Sequence, residues 1–280
     1  MKCHDNKGLV IKLGSKDNII TFSRCCFLKP FYSCKIDEFY NIKDLFNFAK
    51  ENDNNKKDLL DETKDRCQEC SLKKEITSVS IDLSKACNLH CYHCFRLNHI
   101  DNKEIKKLYF NTLKKVKGHQ LESLSLTDEG EPFFYFKETI KFLKSLSYKK
   151  DFKKIIFTTN LTLLDYKKIE LLKKISLKTR IKYIFICSID GCDKRSYEAT
   201  RRGANFDKTI YNYSLLLKTF GPESTRVAFT LKRTNCKCVN EVVPFFKNLG
   251  VKILTCYYDF LDQDMKSLFY STINQFEFLF

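Results

Sequence analysis

Residues 77–94 read Thr77-Ser78-Val79-Ser80-Ile81-Asp82-Leu83-Ser84-Lys85-Ala86-Cys87-Asn88-Leu89-His90-Cys91-Tyr92-His93-Cys94. The first part, Thr77-Leu83, is an apolar run of strand length. The second part gathers three thiols on the loop that leaves that strand. From here to the carboxyl end, apolar strand runs alternate with helical patterns, the signature of βαβ units and a parallel sheet. The further strands are expected at Leu121-Leu126, Lys154-Thr159, Tyr183-Ile189, Arg226-Leu231 and Val251-Tyr257.

The intervening helices carry their own signals. Asp101 with Glu104 makes a capping box, Ile105, Leu108, Thr112, Leu113 and Val116 share one face, and Gly118 stops the run. Leu164, Ile169, Leu172 and Ile175 belong to a second helix, and Asn240 is placed to cap a third that ends before Gly250. Six βα units are too few for a closed eight-stranded barrel, so the expected fold is α/β, a partial (βα)6 barrel. Its active site is expected at the carboxyl ends of the strands.

Residues 1–75 read differently from residues 76–280, and two regions are expected. Leu9-Leu13 and Ile19-Phe22 flank the turn-rich Gly14-Ser15-Lys16-Asp17-Asn18, which predicts a hairpin. A short helix is expected near Leu45-Phe48, and Glu51-Asn52-Asp53-Asn54-Asn55 reads as an exposed loop.

A chain of 280 residues that is 43% hydrophobic can bury a substantial core. It contains no apolar run of about eighteen residues, and Met1-Lys2-Cys3-His4-Asp5 lacks the apolar core of a secretory signal, so no membrane is expected and the expected location is cytoplasmic. The net charge of +16 asks for an anionic partner. The lysines come as scattered pairs such as Lys106-Lys107, Lys114-Lys115 and Lys173-Lys174, and no Arg-aromatic recognition module accompanies them, which counts against nucleic acid.

Fourteen cysteines in a chain expected in a reducing compartment point to metal or cluster ligation before disulfides. Cys187 and Cys256, inside apolar strand patterns, are expected to be small buried hydrophobes. Cys87, Cys91 and Cys94 can hold three irons of a four-iron cubane and leave the fourth without a protein ligand. Zinc is the rival. It normally takes four protein ligands, and His90 or His93 would have to complete the set.

The pattern Cys87-x3-Cys91-x2-Cys94, with Tyr92 as its aromatic, resembles the radical S-adenosylmethionine superfamily. Asp128-Glu129-Gly130-Glu131-Pro132 after the second strand looks like that family's Gly-Glu-Pro motif, and Thr158-Thr159-Asn160 after the third is similar to its Thr-Asn-Gly, with Leu161 in place of the glycine. Ser188-Ile189-Asp190-Gly191, followed by Ser196 to Asp207, resembles the branch that carries an extra cluster domain, SPASM or its shortened twitch form. The resemblance implies that Gly130, Glu131 and Pro132 meet the methionine amino group. It places Ser188 and Asp190 near the ribose, and Arg201 or Arg202 at the methionine carboxylate. Asn160 belongs to the cofactor site on the same ground.

The resemblance further implies a 4Fe-4S cluster with one open iron, S-adenosyl-L-methionine, and an auxiliary cluster module in residues 1–75. Cys3, Cys26, Cys67 and Cys70 are its expected ligands, with Cys25 competing for the place of Cys26 and Cys34 as an outside choice. A small zinc module fits the same thiols. The implied activity is reductive cleavage of S-adenosylmethionine to a 5′-deoxyadenosyl radical, which takes hydrogen from a peptide or small-molecule substrate such as a sugar. Electrons would come from a low-potential flavodoxin or ferredoxin. The rival readings are an iron-sulfur regulator or electron carrier without turnover, and a zinc-dependent nucleic-acid-binding protein. No catalytic acid, base or radical-quenching group stands out, although Cys192, Cys236 and Cys238 lie near the expected active-site face.

Overall fold

The computed structural model describes residues 8–13, 19–23, 32–52, 76–84, 86–94, 102–126, 130–258, 262–273 and 277–279. The chain begins with strands β1 (Gly8–Leu13), β2 (Ile19–Ser23) and β3 (Tyr32–Lys35), then helices α1 (Ile36–Asn41) and α2 (Leu45–Asn52). The alternating series follows: β4 (Ser78–Asp82), α3 (Lys103–Lys115), β5 (Leu121–Leu126), α4 (Phe136–Lys144), β6 (Phe152–Thr159), α5 (Tyr166–Thr179) and β7 (Lys182–Ser188). Helices α6 (Lys194–Thr200) and α7 (Phe206–Phe220) lead to β8 (Thr225–Leu231), a 3-10 turn over Cys236–Glu241, α8 (Val242–Asn248), β9 (Ile253–Tyr258), α9 (Gln263–Thr272) and β10 (Glu277–Leu279).

The described strands form one sheet in the order β10-β9-β8-β7-β6-β5-β4-β1-β2-β3. From β4 to β9 every neighbouring pair is parallel and the order follows the chain without a reversal. Right-handed crossovers along an unreversed order put their helices on one face of the sheet, the connectivity of a partial barrel rather than of a doubly wound sheet. All six expected strands of the series are present, and their carboxyl ends face the same way.

The amino-terminal hairpin also forms, with β1 antiparallel to β2 and β2 to β3. It continues the same sheet, because β1 runs parallel to β4 with Leu9 level with Val79 and Ile11 with Ile81. Leu9, Ile11, Ile20 and Phe22 have no exposed surface and join the main core. Burying one such side chain contributes about 1.5–3 kcal/mol. Phe133, Phe157 and Phe185 stack in series through the middle of that core, with ring centroids 5.2 and 5.4 Å apart. Cys187 and Cys256 are fully buried, as their strand patterns predict. Cys34 is buried on β3, where burial pushes its thiol up to about 11.

Three local expectations need correction. The side chain that caps α3 belongs to Asn102, whose Oδ1 accepts from the Glu104 N–H at 2.7 Å, so the cap lies one residue beyond Asp101. Asn240 does not cap a helix; it lies inside the 3-10 turn, and α8 starts after Glu241 with no side-chain cap. Glu51 and Asn52 close α2 instead of opening a loop, with the Asn52 amide donating to the Phe48 carbonyl one turn back.

Candidate active site

The three-cysteine loop leaves β4 and is tied down at both ends. On one side it packs on the segment that follows β5: the Glu131 N–H donates to the Ala86 carbonyl at 2.8 Å. Gly130 makes that approach possible. A Cβ there would stand 2.4 Å from the Ser84 carbonyl oxygen and 2.8 Å from that of Ala86. On the other side the loop pairs with the end of α6, where the His90 and Tyr92 N–H groups donate to the carbonyls of Arg202 and Thr200 at 3.0 and 2.8 Å. Leu89 is fully buried beneath it, against Gly203, whose positive φ of 90° suits glycine.

Cys87, Cys91 and Cys94 are all partly exposed, and each lies within electrostatic range of the other two. Burial raises the Cys87 thiol, and it pushes Cys91 up to about 11 even though the Arg201 guanidinium pulls the other way. A thiol held up by desolvation becomes a thiolate when a metal cation takes the place of its proton. Among the described residues, no three or more His, Cys, Asp or Glu side chains group closely enough to hold a metal ion together. A cubane offers a separate iron corner to each thiolate and does not require such a grouping.

Two buried polar groups reach this loop from other strands. Asn160, just past β6, donates from Nδ2 to Cys87 Sγ at 3.6 Å and to Asn88 Oδ1 at 3.3 Å. Its Oδ1 accepts from the Thr162 N–H and hydroxyl, and Thr162 Oγ1 accepts from Asn88 Nδ2 at 2.8 Å, which closes a ring of side chains. Glu131 sits behind Asn160 and is only 4% exposed. One carboxylate oxygen accepts from the Thr159 hydroxyl at 2.7 Å and the other from the Asn160 N–H at 2.8 Å. Burial lifts this carboxyl to about 7 in spite of those bonds.

The second group is an ion pair. Asp190, after β7, has no exposed surface; its Oδ1 accepts from the Thr230 N–H at 2.7 Å, and its Oδ2 stands 2.7 Å from Arg201 Nη2 and 3.7 Å from His93 Nε2. Arg201 turns its other amino group to Cys91 Sγ at 3.9 Å. Among the described residues no acceptor meets its buried Nε. The structure separates the two arginines: Arg201 is buried, whereas Arg202 is exposed with its guanidinium over the Tyr92 ring at 5.7 Å.

Of the residues expected at the site, Cys87, Cys91, Cys94, Glu131, Asn160, Asp190 and Arg201 come together by contact, and Gly130 and Pro132 lie in the segment that seats them. Ser188 is the half-buried last residue of β7, level with Ala228. Cys3, Cys25, Cys26, Cys67 and Cys70, and the expected motif residues Asp128 and Glu129, lie outside the described residues. The structure adds supports that the sequence pattern does not reveal. Asn235 is fully buried and donates to the carbonyls of Asp190 and Thr230 at 3.0 and 2.8 Å, joining the ends of β7 and β8. Asn212 of α7 does the same for the Leu161 and Leu164 carbonyls behind Asn160.

A 4Fe-4S cluster and a sulfonium cofactor suit these residues chemically. Three thiols on one loop are met by an amide and a guanidinium that donate to sulfur, and a buried carboxyl and an uncommitted Nε–H stand behind them. No family model and no curated protein matches the chain. Solved structures do. The chain is 22% identical to anSMEcpe with bound AdoMet, with a TM-score of 0.47 over 65% of this chain and 49% of that one. It is 20% identical to Streptococcus suis SuiB bound to precursor peptide SuiA, with a TM-score of 0.48 over 65% of this chain and 39% of that one. TYW1 with a lysine-pyruvate adduct bound is 17% identical, with a TM-score of 0.42 over 67% of this chain and 70% of that one. The chain thus spans half or less of the anSMEcpe and SuiB chains.

Proposed function

We propose that this chain is a radical S-adenosylmethionine enzyme, which cleaves S-adenosylmethionine reductively to a 5′-deoxyadenosyl radical and abstracts hydrogen from a peptide or small-molecule substrate. The observation that carries the proposal is the meeting of residues from four successive strand ends on one three-cysteine loop: Cys87, Cys91 and Cys94 after β4, Glu131 after β5, Asn160 after β6, and Asp190 after β7 with its partner Arg201. A lone Gly-Glu-Pro turn or a lone buried ion pair is ordinary. Their convergence on an iron-sulfur ligand loop is what S-adenosylmethionine chemistry needs.

Cys87, Cys91 and Cys94 would hold the cluster, with Asn160 and Arg201 donating to the sulfurs of Cys87 and Cys91 and so favouring their anionic form. When bound, the cluster supplies a low-potential electron and an open iron. Glu131, anionic once its proton is lost, suits the ammonium of an amino acid. Arg201 is already shared between Asp190 and Cys91, and its remaining Nε–H suits a carboxylate. The buried wall behind these groups excludes water, and the side-chain ring of Asn88, Thr162 and Asn160 fixes their orientation. An auxiliary four-iron cluster on Cys3, Cys26, Cys67 and Cys70, with Cys25 competing for the place of Cys26, belongs to the same proposal. So do a flavodoxin or ferredoxin as electron donor and a cytoplasmic setting.

The test is formation of 5′-deoxyadenosine from S-adenosylmethionine by protein reconstituted anaerobically with iron and sulfide and reduced with dithionite. Product is expected from the wild-type chain and none from Cys87→Ala, Cys91→Ala or Cys94→Ala, each checked by circular dichroism for retention of the fold. Undiminished product from any of the three would overturn the proposal.

A further inference from the structure

Two cysteines beside this site take no part in it. Cys192 follows Asp190-Gly191 in the loop between β7 and α6, and Cys238 lies in the 3-10 turn after β8. The elements that carry them are pinned together, because Asn235 bonds the Asp190 carbonyl and Thr200 Oγ1 bonds Thr234 Oγ1 at 2.7 Å. The thiols meet in the seam. Cys192 Sγ donates to the Cys238 carbonyl at 3.7 Å, Cys238 Sγ donates to the Asn235 carbonyl at 3.2 Å, and the two thiols lie within interaction range of each other. Cys238 is buried and Cys192 partly exposed, so the pair opens on its Cys192 side.

We propose that Cys192 and Cys238 form a redox-active dithiol that closes to a disulfide when a small peroxide oxidises it. Contact between two thiols carried by separate elements supplies both the attacked sulfur and the resolving one. The charge on the pair is distributed suitably. The neighbouring Cys192 draws the Cys238 thiol down to about 6, with the Ser196 hydroxyl assisting and burial and Asp193 opposing, while Cys192 is pushed up by Cys238, by burial and by the Asp193 and Glu241 carboxylates. The thiolate is the nucleophile in such chemistry. Cys256, raised to about 12 by burial, is an internal contrast.

The steps balance. The Cys238 thiolate attacks one oxygen of hydrogen peroxide, a sulfur–oxygen bond forms as the oxygen–oxygen bond breaks, and hydroxide leaves. The Cys192 thiol then attacks that sulfenic sulfur, the sulfur–sulfur bond forms, and the sulfenic oxygen departs with the Cys192 proton as water. The dithiol gives up two electrons and the peroxide takes them. Since α6 starts two residues after Cys192 and Arg201 is its C-cap, the disulfide would tie the helix carrying Arg201 to the β8 side of the sheet. The dithiol stands apart from the reading of Cys87, Cys91 and Cys94, and neither iron nor S-adenosylmethionine enters its test.

The experiment treats the reduced full chain with about one equivalent of hydrogen peroxide, quenches with catalase, alkylates, and maps a non-reducing tryptic digest. Cleavage after Lys182, Lys194, Lys237 and Lys247 puts Cys192 in peptide 183–194 and Cys238 in peptide 238–247, and separates Cys238 from Cys236. A linked 183–194/238–247 species is expected, with fragmentation assigning the bond to Cys192 and not Cys187, and with dithiothreitol reversing it. In Cys192→Ser the link should vanish while Cys238 proceeds to sulfenic and sulfinic acid. In Cys238→Ser, Cys192 should stay reduced, and Cys236→Ser should keep the link. No linked species in folded wild-type protein, or Cys238 joined to any other cysteine, would overturn the inference.

Discussion

Leu161 holds a left-handed backbone, φ 67°, at the position where the motif it resembles has glycine. That conformation costs a non-glycine residue about 1–2 kcal/mol. The side chain is fully buried, and removing a buried leucine costs about 2–5 kcal/mol, so burial outweighs strain. Leu161→Gly should therefore destabilise the protein, but by about 1 kcal/mol less than Leu161→Ala, which loses the packing and keeps the strain. Urea midpoints in the order wild type, Gly, Ala would bear this out, and Ala above Gly would refute it. Glu131 makes a second residue-scale case. Its carboxyl is raised from about 4.5 to about 7, first by burial, so its contribution to stability is complete below pH 4.5 and is lost as pH rises through 7. The loss is about 3 kcal/mol by linkage. Glu131→Gln titrates at neither pH. Wild-type unfolding free energy should fall relative to the Gln variant between pH 5 and pH 8, and parallel pH profiles would show that Glu131 is not held up in the folded chain. Cys87, Glu131, Asn160 and Asp190 were legible because each follows a strand that the sequence announces, whereas Arg201 closes α6. Asn212 and Asn235 were not legible, since the bonds that Asn212 makes to the Leu161 and Leu164 carbonyls and Asn235 to the Asp190 carbonyl span 45 to 51 residues and leave no local pattern.

At the scale of elements, the six parallel strands were readable because buried apolar residues recur along each, at every second position on β4 and β8 and in a longer run on β7, and the observed limits lie within two residues of those expected. Helix starts were less readable. Asp101 and Asn102 are both good caps, and propensity alone cannot choose between neighbours; the bond to the Glu104 N–H decides it. The link between β1 and β4 was not readable at all, because pairing between strands far apart in sequence depends on what the intervening chain allows. Two substitutions test how elements seat the site. Gly130→Ala puts a methyl group 2.4 Å from a backbone oxygen that cannot rotate away, so the loops after β4 and β5 must part. A loss of about 2–3 kcal/mol is expected, together with loss of iron binding at Cys87, Cys91 and Cys94. Asn235→Ala strips partners from the buried carbonyls of Asp190 and Thr230 and should cost about 2–4 kcal/mol. Thermal melts and iron content measured on the same preparations separate general unfolding from loosening of the site; full iron loading in Gly130→Ala would show that this contact does not seat the loop.

For the whole molecule, the informative quantity is the charge of +16. Glu122, Glu138, Asp165 and Glu223 each face a lysine, while Lys107, Lys114 and Lys174 lie exposed on helices, so an excess of positive charge faces solvent. Low-potential flavodoxins and ferredoxins are typically acidic, and transient redox complexes use small charged interfaces in which complementarity mainly sets the encounter rate. An electron donor of that kind would be drawn to this surface, whereas dithionite, a small molecule, needs no docking face. Salt separates these cases, since the Debye length falls from about 10 Å at 0.1 M to about 3 Å at 1 M. Turnover of S-adenosylmethionine driven by a flavodoxin or ferredoxin system should drop at least about tenfold between 0.05 and 0.5 M salt, because steering multiplies association rates by about ten to a thousand. Turnover driven by dithionite should change by less than about twofold over the same range. If both reductants respond to salt alike, the lysines serve solvation and not docking, and the chemistry assigned to Cys87, Cys91 and Cys94 stands or falls separately on its own product.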